Sequence, residues 1–302
     1  MDIIVPTGWI EKVRKYDPNQ NNAQLLSEFD RFIKPDSIFI PAYDKDLDKK
    51  QPGLLNALFV NLDNDESEEL IITLGWNKNH PSMAVFKKIG SDWHLLYLED
   101  YYMFYNMPDL SVANSYSVNK TFYFRRVYNR GSGVYSDGYS FYKLVGNKVY
   151  PCLALINEAH IVGWGLYMNQ EVSSKFNFTD SEGDYLWVKY IYNFFPGPIY
   201  EKDFDWDSNN DISLIKGENA VGYKWNDKTF KYELDNSSTK TEVEELNAAK
   251  ISCFGDFAND SLFVHAFGAE IEQILKTGTS KQKKIMEEYL ARVKKNKTVA
   301  AQ

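Results

Sequence analysis

Two stretches of this chain place side-chain oxygens at alternate positions. In residues 61–72 (NLDNDESEELII) acidic or amide groups stand at relative positions one, three, five and nine, as Asn61, Asp63, Asp65 and Glu69. In residues 203–214 (DFDWDSNNDISL) the same positions hold Asp203, Asp205, Asp207 and Asp211. An apolar run begins at position ten in both, at Leu70 and Ile212. Carboxylates spaced in this way around a tight turn converge on one point and repel each other unless positive charge joins them. A hard cation such as Ca²⁺ accepts six to eight oxygen ligands at about 2.3–2.6 Å and would remove that repulsion. The plainer alternative is a polar turn in which Asp and Asn hydrogen-bond their own backbone. Two copies in one register favour the cation.

The segments downstream of the two stretches also correspond. SMAVFKKIGSDWHLLYL (82–98) lines up with NAVGYKWNDKTFKYEL (219–234), each a strand, a polar turn and a second strand. The repeated unit is thus a loop and about three strands, the size of one propeller blade. From 54 to about 234 short β runs alternate with Asn, Asp, Gly and Pro, the pattern of an antiparallel meander, barrel, sandwich or propeller. Before them, Leu25, Leu26, Phe29, Phe32 and Ile33 form one helical face that Pro35 ends. After Asp235 the polar stretch DNSSTKTEVEE reads as a linker or surface loop. Phe267, Ile271, Ile274 and Leu275 then make a short helical face, Gly278 breaks it, and Ser280 caps a second helix with the stripe Ile285, Tyr289, Leu290 and Val293. The chain divides into a helical and loop segment at 1–53, a β domain at 54–235 and a helical segment at 236–302.

The patterns N-x-D-x-D-x-x-x-E-L and D-x-D-x-D-x-x-x-D-I resemble the calcium loops of FG-GAP/VCBS-type repeats, as in integrin-like β-propellers. The resemblance covers about two blades, and the region between has room for two more that lack the acidic loop. It implies a mostly-β, propeller-like repeated antiparallel meander, Ca²⁺ held structurally at both loops, and a noncatalytic role outside the cytoplasm. The family usually has glycine at position six of the loop. Here Glu66 and Ser208 stand there, which predicts a strained or altered turn.

Composition narrows the function classes. The chain has 302 residues and a net charge of −8, and 16% of its residues are aromatic. Aromatic richness favours pleated, half-buried surfaces. Before the C-terminal lysines (Lys281, Lys283, Lys284, Lys294, Lys295) no basic footprint for a nucleic acid is present, and those lysines read as the solvated face of a helix. No apolar run has the roughly 20 residues of a membrane span. Residues 1–10 lack a leader pattern, so the chain is expected to be cytoplasmic, or the mature form of an exported protein whose leader was replaced by a start Met. Cys152 and Cys253 have no metal-ligand spacing and are either two buried thiols or one long-loop disulfide.

Four histidines, His80, His94, His160 and His265, stand in no metalloprotease spacing, and no phosphate-binding or nucleophile-elbow motif occurs. RGSGVYSDG (130–138) reads as a hairpin loop, and VGWGLY (162–167) as a strand with a bulge. The aromatic runs at 101–105 and 190–195 are either core packing or a sugar-stacking platform. Three functions are compatible with these residues. The first is a noncatalytic, calcium-stabilised β scaffold presenting a surface to a protein or glycan. The second is a metal-independent interaction protein, such as an immunity protein or assembly subunit, whose acidic surface meets a basic partner. The third is a hydrolase using loop carboxylates and a histidine.

Overall fold

Trp9, Ile10 and Val13 share one side of the first helix, α1 (Thr7–Arg14), and all three are buried. Helix α2 (Ala23–Ile33) turns Leu25, Leu26, Phe29 and Ile33 the same way, on the face predicted from the sequence. In this computed structural model, which describes residues 3–33, 53–75, 81–104, 106–113, 119–162, 168–178, 184–197, 212–235, 242–255 and 260–300, both helices lie on one face of a five-stranded antiparallel sheet. Trp9 locks the pair together. Its indole N–H donates to the Leu25 carbonyl at 3.0 Å, and its ring stacks on Phe29 and meets Phe86 of the sheet at 5.7 Å.

That sheet has the order β1-β5-β4-β3-β2, from β1 (Ile3–Val5), β2 (Leu54–Val60), β3 (Glu69–Gly75), β4 (Pro81–Ile89) and β5 (Asp92–Asp100). The N-terminal segment is therefore more than helical, since β1 pairs antiparallel with β5. All seven residues of β3, and Pro81 to Lys87 of β4, are buried. The reason is that both faces of the sheet are covered. Leu70, Ile72, Ala84 and Phe86 point to the helices, whereas Ile71, Met83 and Val85 point to a second sheet.

The second sheet is an eight-stranded antiparallel meander running from β6 to β13 in chain order. Its strands are β6 (Ser111–Ala113), β7 (Thr121–Gly131), β8 (Val134–Val145), β9 (Lys148–Ile161), β10 (Met168–Phe178), β11 (Tyr185–Pro196), β12 (Ile215–Asn226) and β13 (Lys231–Leu234). Several, of 11 to 14 residues, are longer than the short runs read from the sequence. RGSGVYSDG is indeed a hairpin: Gly131 pairs with Val134 across Ser132 and Gly133, both at positive φ, as a two-residue turn of this hand requires. Phe122, Phe124, Tyr142, Leu144 and Val149 face the first sheet, and Phe122 stacks on Tyr142 at 5.2 Å.

The meander curls so that its last strand returns over its first ones. The Tyr232 hydroxyl on β13 lies 2.8 Å from Thr121 Oγ1 on β7, and Phe230 stacks on Tyr150 of β9 at 4.2 Å. The almost fully buried Lys143 pairs with Asp184 at 2.6 Å and lies over the Trp225 ring at 4.4 Å. Helices α3 (Glu242–Ser252), α4 (Asp260–Ala266), α5 (Gly268–Thr277) and α6 (Ser280–Ala300) complete the chain. Phe263, Phe267, Ile271, Ile274, Ile285, Tyr289 and Val293 close the third core against Tyr190, Tyr192 and Phe194 of β11. The layers thus run helices, sheet, sheet, helices. Among the described residues the strands form these two sheets, and no closed ring of blades is seen.

The two hairpins aligned from the sequence sit in different settings. Residues 82–98 become β4 and β5 inside the first sheet, and 219–234 become β12 and β13 at the end of the second. The strands before them also differ. β3 precedes β4 as a separate strand, while residues 212–214 run without strand structure into β12.

Candidate functional site: an acidic turn closed by a lysine

The turn between β2 and β3 is built by its own side chains. Asn61 Oδ1 accepts from the Asn64 N–H at 2.6 Å, and the Asn61 amide donates to the Asp65 carbonyl. Asn64 takes the left-handed conformation, φ 58°, which Asn tolerates better than most residues. Glu66, where the resembled family has glycine, is not among the residues at positive φ, so the strain expected at position six does not arise. Ser67 donates to Asp65 Oδ1 twice, from its N–H at 2.7 Å and its hydroxyl at 2.8 Å. The Leu62 N–H donates to Glu69 Oε2 at 2.7 Å, and the Asp65 N–H reaches Asp63 Oδ1 at 3.4 Å.

This accounting leaves one oxygen on each carboxylate. Asp63, Asp65 and Glu69 gather ligand atoms within 4.8 Å of one another. The Lys87 ammonium sits among them. It pairs with Asp63 Oδ2, with Asp65 Oδ2 at 2.8 Å and with Glu69 Oε1 at 3.5 Å. The Lys87 side chain is only 8% exposed, and Glu69 is fully buried. Lys87 was not singled out in the sequence, yet it decides the electrostatics of the turn. Its hydrogen bond lowers the Asp65 carboxyl to about 2, helped by the Ser67 N–H. Burial raises Glu69, against the Leu62 hydrogen bond. Burial alone would lower Lys87, but the hydrogen bonds it donates to Asp63 and Asp65 outweigh it and raise it.

The turn also ties layers together. Arg14 of α1 reaches Glu68 at 3.2 Å. Lys120, just before β7, donates its N–H to the Leu62 carbonyl and its ammonium to the Asn61 carbonyl, both at 2.7 Å. Of the expected site residues, the structure therefore brings Asp63, Asp65 and Glu69 together, with Asn61 bracing the turn. Asp203, Asp205, Asp207 and Asp211 lie outside the described residues.

The donor set matches a hard cation in kind, since every uncommitted atom is a carboxylate oxygen. The point where those oxygens converge is the point Lys87 Nζ takes. An ammonium there and a Ca²⁺ ion there exclude each other.

A second feature lies on the outer face of β10 and β11. A cleft of about 460 Å³ is lined by Glu158, His160, Glu171, Ser173, Ile191 and Asn193, among others. His160 Nδ1 stands 3.6 Å from Glu171. Along β11 the same face carries Ile191 and Trp187, which stay 43% and 42% exposed. Tyr185 packs edge-on against Trp187 at 5.7 Å, and Lys189 pairs with Glu218 between them and Ile191 at 2.7 Å.

Most of the aromatic candidates resolve as packing, whereas Tyr102 and His265 are exposed. Tyr101, Phe104, Tyr190, Tyr192, Phe194 and Phe195 are buried in the cores. Cys152 and Cys253 are buried thiols that do not form a disulfide, and burial pushes Cys152 up to about 12. His94 lies on β5 opposite Lys87, His265 is on α4, and His80 lies outside the described residues. No helix of the described residues is long and apolar enough to cross a membrane. Compared with family models, curated proteins and solved structures, the chain matches none.

Proposed function

We propose that this chain is a noncatalytic β scaffold that presents the outer face of β10 to β12 to a glycan. The observation that carries the reading is the pairing of the β10–β11 cleft with the exposed Ile191 and Trp187 on one face. Strand geometry sets these two side chains about 13 Å apart, the length of two to three sugar rings. Aromatic and aliphatic surface flanked by Asn, Ser, Glu and Lys suits a ligand that is apolar on its ring faces and polar at its edges. The rest of the molecule supports display: the core beneath β10 to β12 backs the face, and the acidic turn at 61–69 is held by positive charge. The resemblance to propeller repeats enters here as a shared role, a rigid meander that shows its loops and faces. An extracytoplasmic setting, where glycans are plentiful, goes with it.

The test is an oligosaccharide array followed by calorimetry. Trp187→Ala should weaken the best ligand at least tenfold while leaving the melting temperature within about 2 °C, as expected for an exposed side chain. A blank array, or a Trp187→Ala variant that binds like wild type, refutes the reading. Glu158 and Glu171 in the cleft favour a second reading, a basic protein partner. Its affinity would fall steeply with salt, whereas glycan binding would not.

A further inference from the structure

We infer that Lys87 is the resident cation of the acidic turn, standing where the resembled repeat family places a calcium ion, so that the turn closes without metal. The inference does not depend on which ligand the scaffold displays.

Stoichiometry carries the argument first. An ammonium has three N–H donors. Three carboxylate oxygens face Nζ, namely Asp63 Oδ2, Asp65 Oδ2 and Glu69 Oε1. Glu69 Oε1 makes no hydrogen bond and is buried, so the Lys87 charge at 3.5 Å is what compensates it. A calcium ion needs six to eight oxygens. Four other side-chain oxygens of the turn accept from its own N–H groups: Asn61 Oδ1 from Asn64, Asp63 Oδ1 from Asp65, Asp65 Oδ1 from Ser67 and Glu69 Oε2 from Leu62. With those four committed and Nζ in place, a calcium ion would find no free oxygen on Asp63, Asp65 or Glu69; only with the ammonium gone could it take the three facing oxygens and complete its shell from backbone carbonyls and water.

Tethering carries it second. Lys87 belongs to β4 and pairs in register with His94 of β5, beside the fully buried Phe86. Its position is set by the sheet, so the charge is delivered when the sheet forms. A metal would have to expel a side chain that is almost wholly buried.

The second acidic stretch, 203–211, could respond to calcium on its own, so the experiment isolates the first turn by difference. Bound Ca²⁺ is counted by equilibrium dialysis for wild type and for Asp63→Asn, and both melting temperatures are read in CaCl₂ and in EGTA. Equal stoichiometry and equal calcium responses in the two proteins are expected. One more ion per chain in wild type, or a calcium-dependent rise in melting temperature that Asp63→Asn loses, overturns the inference. Lys87→Met supplies the converse arm. It should gain a bound ion and a calcium-dependent rise that Lys87→Met/Asp63→Asn lacks. A folded Lys87→Met protein that gains neither also overturns it. If Lys87→Met does not fold, the comparison of wild type with Asp63→Asn decides alone.

Discussion

The energetic weight of the Lys87 cluster is measurable as a coupling. Lys87→Met keeps the apolar stem and removes the ammonium, leaving Asp63, Asp65 and Glu69 facing one another. Removing one partner of a buried ion pair costs about 3–5 kcal/mol. Asp65 is 41% exposed, so water recovers part of the loss. The expected cost is therefore near the lower end, about 3 kcal/mol, or about 5 °C in melting temperature for a chain this long. Asp63→Asn leaves the ammonium with Asp65 and Glu69 and should cost about 1–2 kcal/mol. The double variant removes a charge of each sign, so its cost should fall short of the sum by about 1–2 kcal/mol. Urea unfolding at neutral pH in EGTA, followed by tryptophan fluorescence, reads all four proteins. Additivity within about 0.5 kcal/mol, or a Lys87→Met cost below about 1 kcal/mol, would refute the view that these side chains form one unit.

Acid should unpick the same cluster in a definite order. The Asp65 carboxyl lies at about 2 in the fold against 3.8 unperturbed, so its contribution is complete above the higher value and vanishes as pH falls through the lower. The gap in urea midpoint between wild type and Asp65→Asn should close over that window, and a constant gap would contradict the assignment. Glu69 has the opposite sign: its raised pKa makes its charged form a cost at neutral pH that acid relieves. Gly138→Ala should destabilise at or above the top of the usual overpacking range of about 1–3 kcal/mol, because its Cβ would meet the Leu155 carbonyl oxygen at 1.9 Å and the Tyr128 ring at 2.4 Å; chemical denaturation measures it. Neither Cys152 nor Cys253 should react with an aromatic disulfide reagent until the protein is unfolded, when both should.

Much of the architecture was legible because it is written in periodicity. The apolar face Leu25, Leu26, Phe29 and Ile33, and the stripe Ile285, Tyr289 and Val293, both became buried helix faces. The polar stretch after Asp235 misled, because α3 starts at Glu242 inside it and buries no residue, so no apolar spacing announces it. Strand lengths were underestimated for another reason. β8 and β9 continue through bulges at Asp137/Gly138 and Phe141/Tyr142, where alternation slips, and Val134 to Gly138, read as part of a hairpin loop, belong to β8. At the acidic turn the oxygen ligands were legible and their counter-ion was not. Lys87 stands within SMAVFKKI, a run read as one strand, where a lysine near its end carries no mark of a buried partner. A signal was present: the hairpin alignment sets Lys87 beside Lys224. The structure separates that pair, since Lys87 is buried among carboxylates whereas Lys224 is exposed opposite Tyr185 and Glu233.

The middle core has a consequence for how the chain is made. The first sheet and its two helices are complete in sequence by residue 100, but the partners of their inner face, Phe122, Phe124, Tyr142, Leu144 and Val149, are translated later. For the seconds that about forty to fifty residues take to emerge, Leu62, Ile71, Met83 and Val85 form a sticky, half-finished wall. Nascent chains stalled in that interval are therefore the ones expected to need a chaperone, and the β7–β8 hairpin is the piece whose arrival releases them.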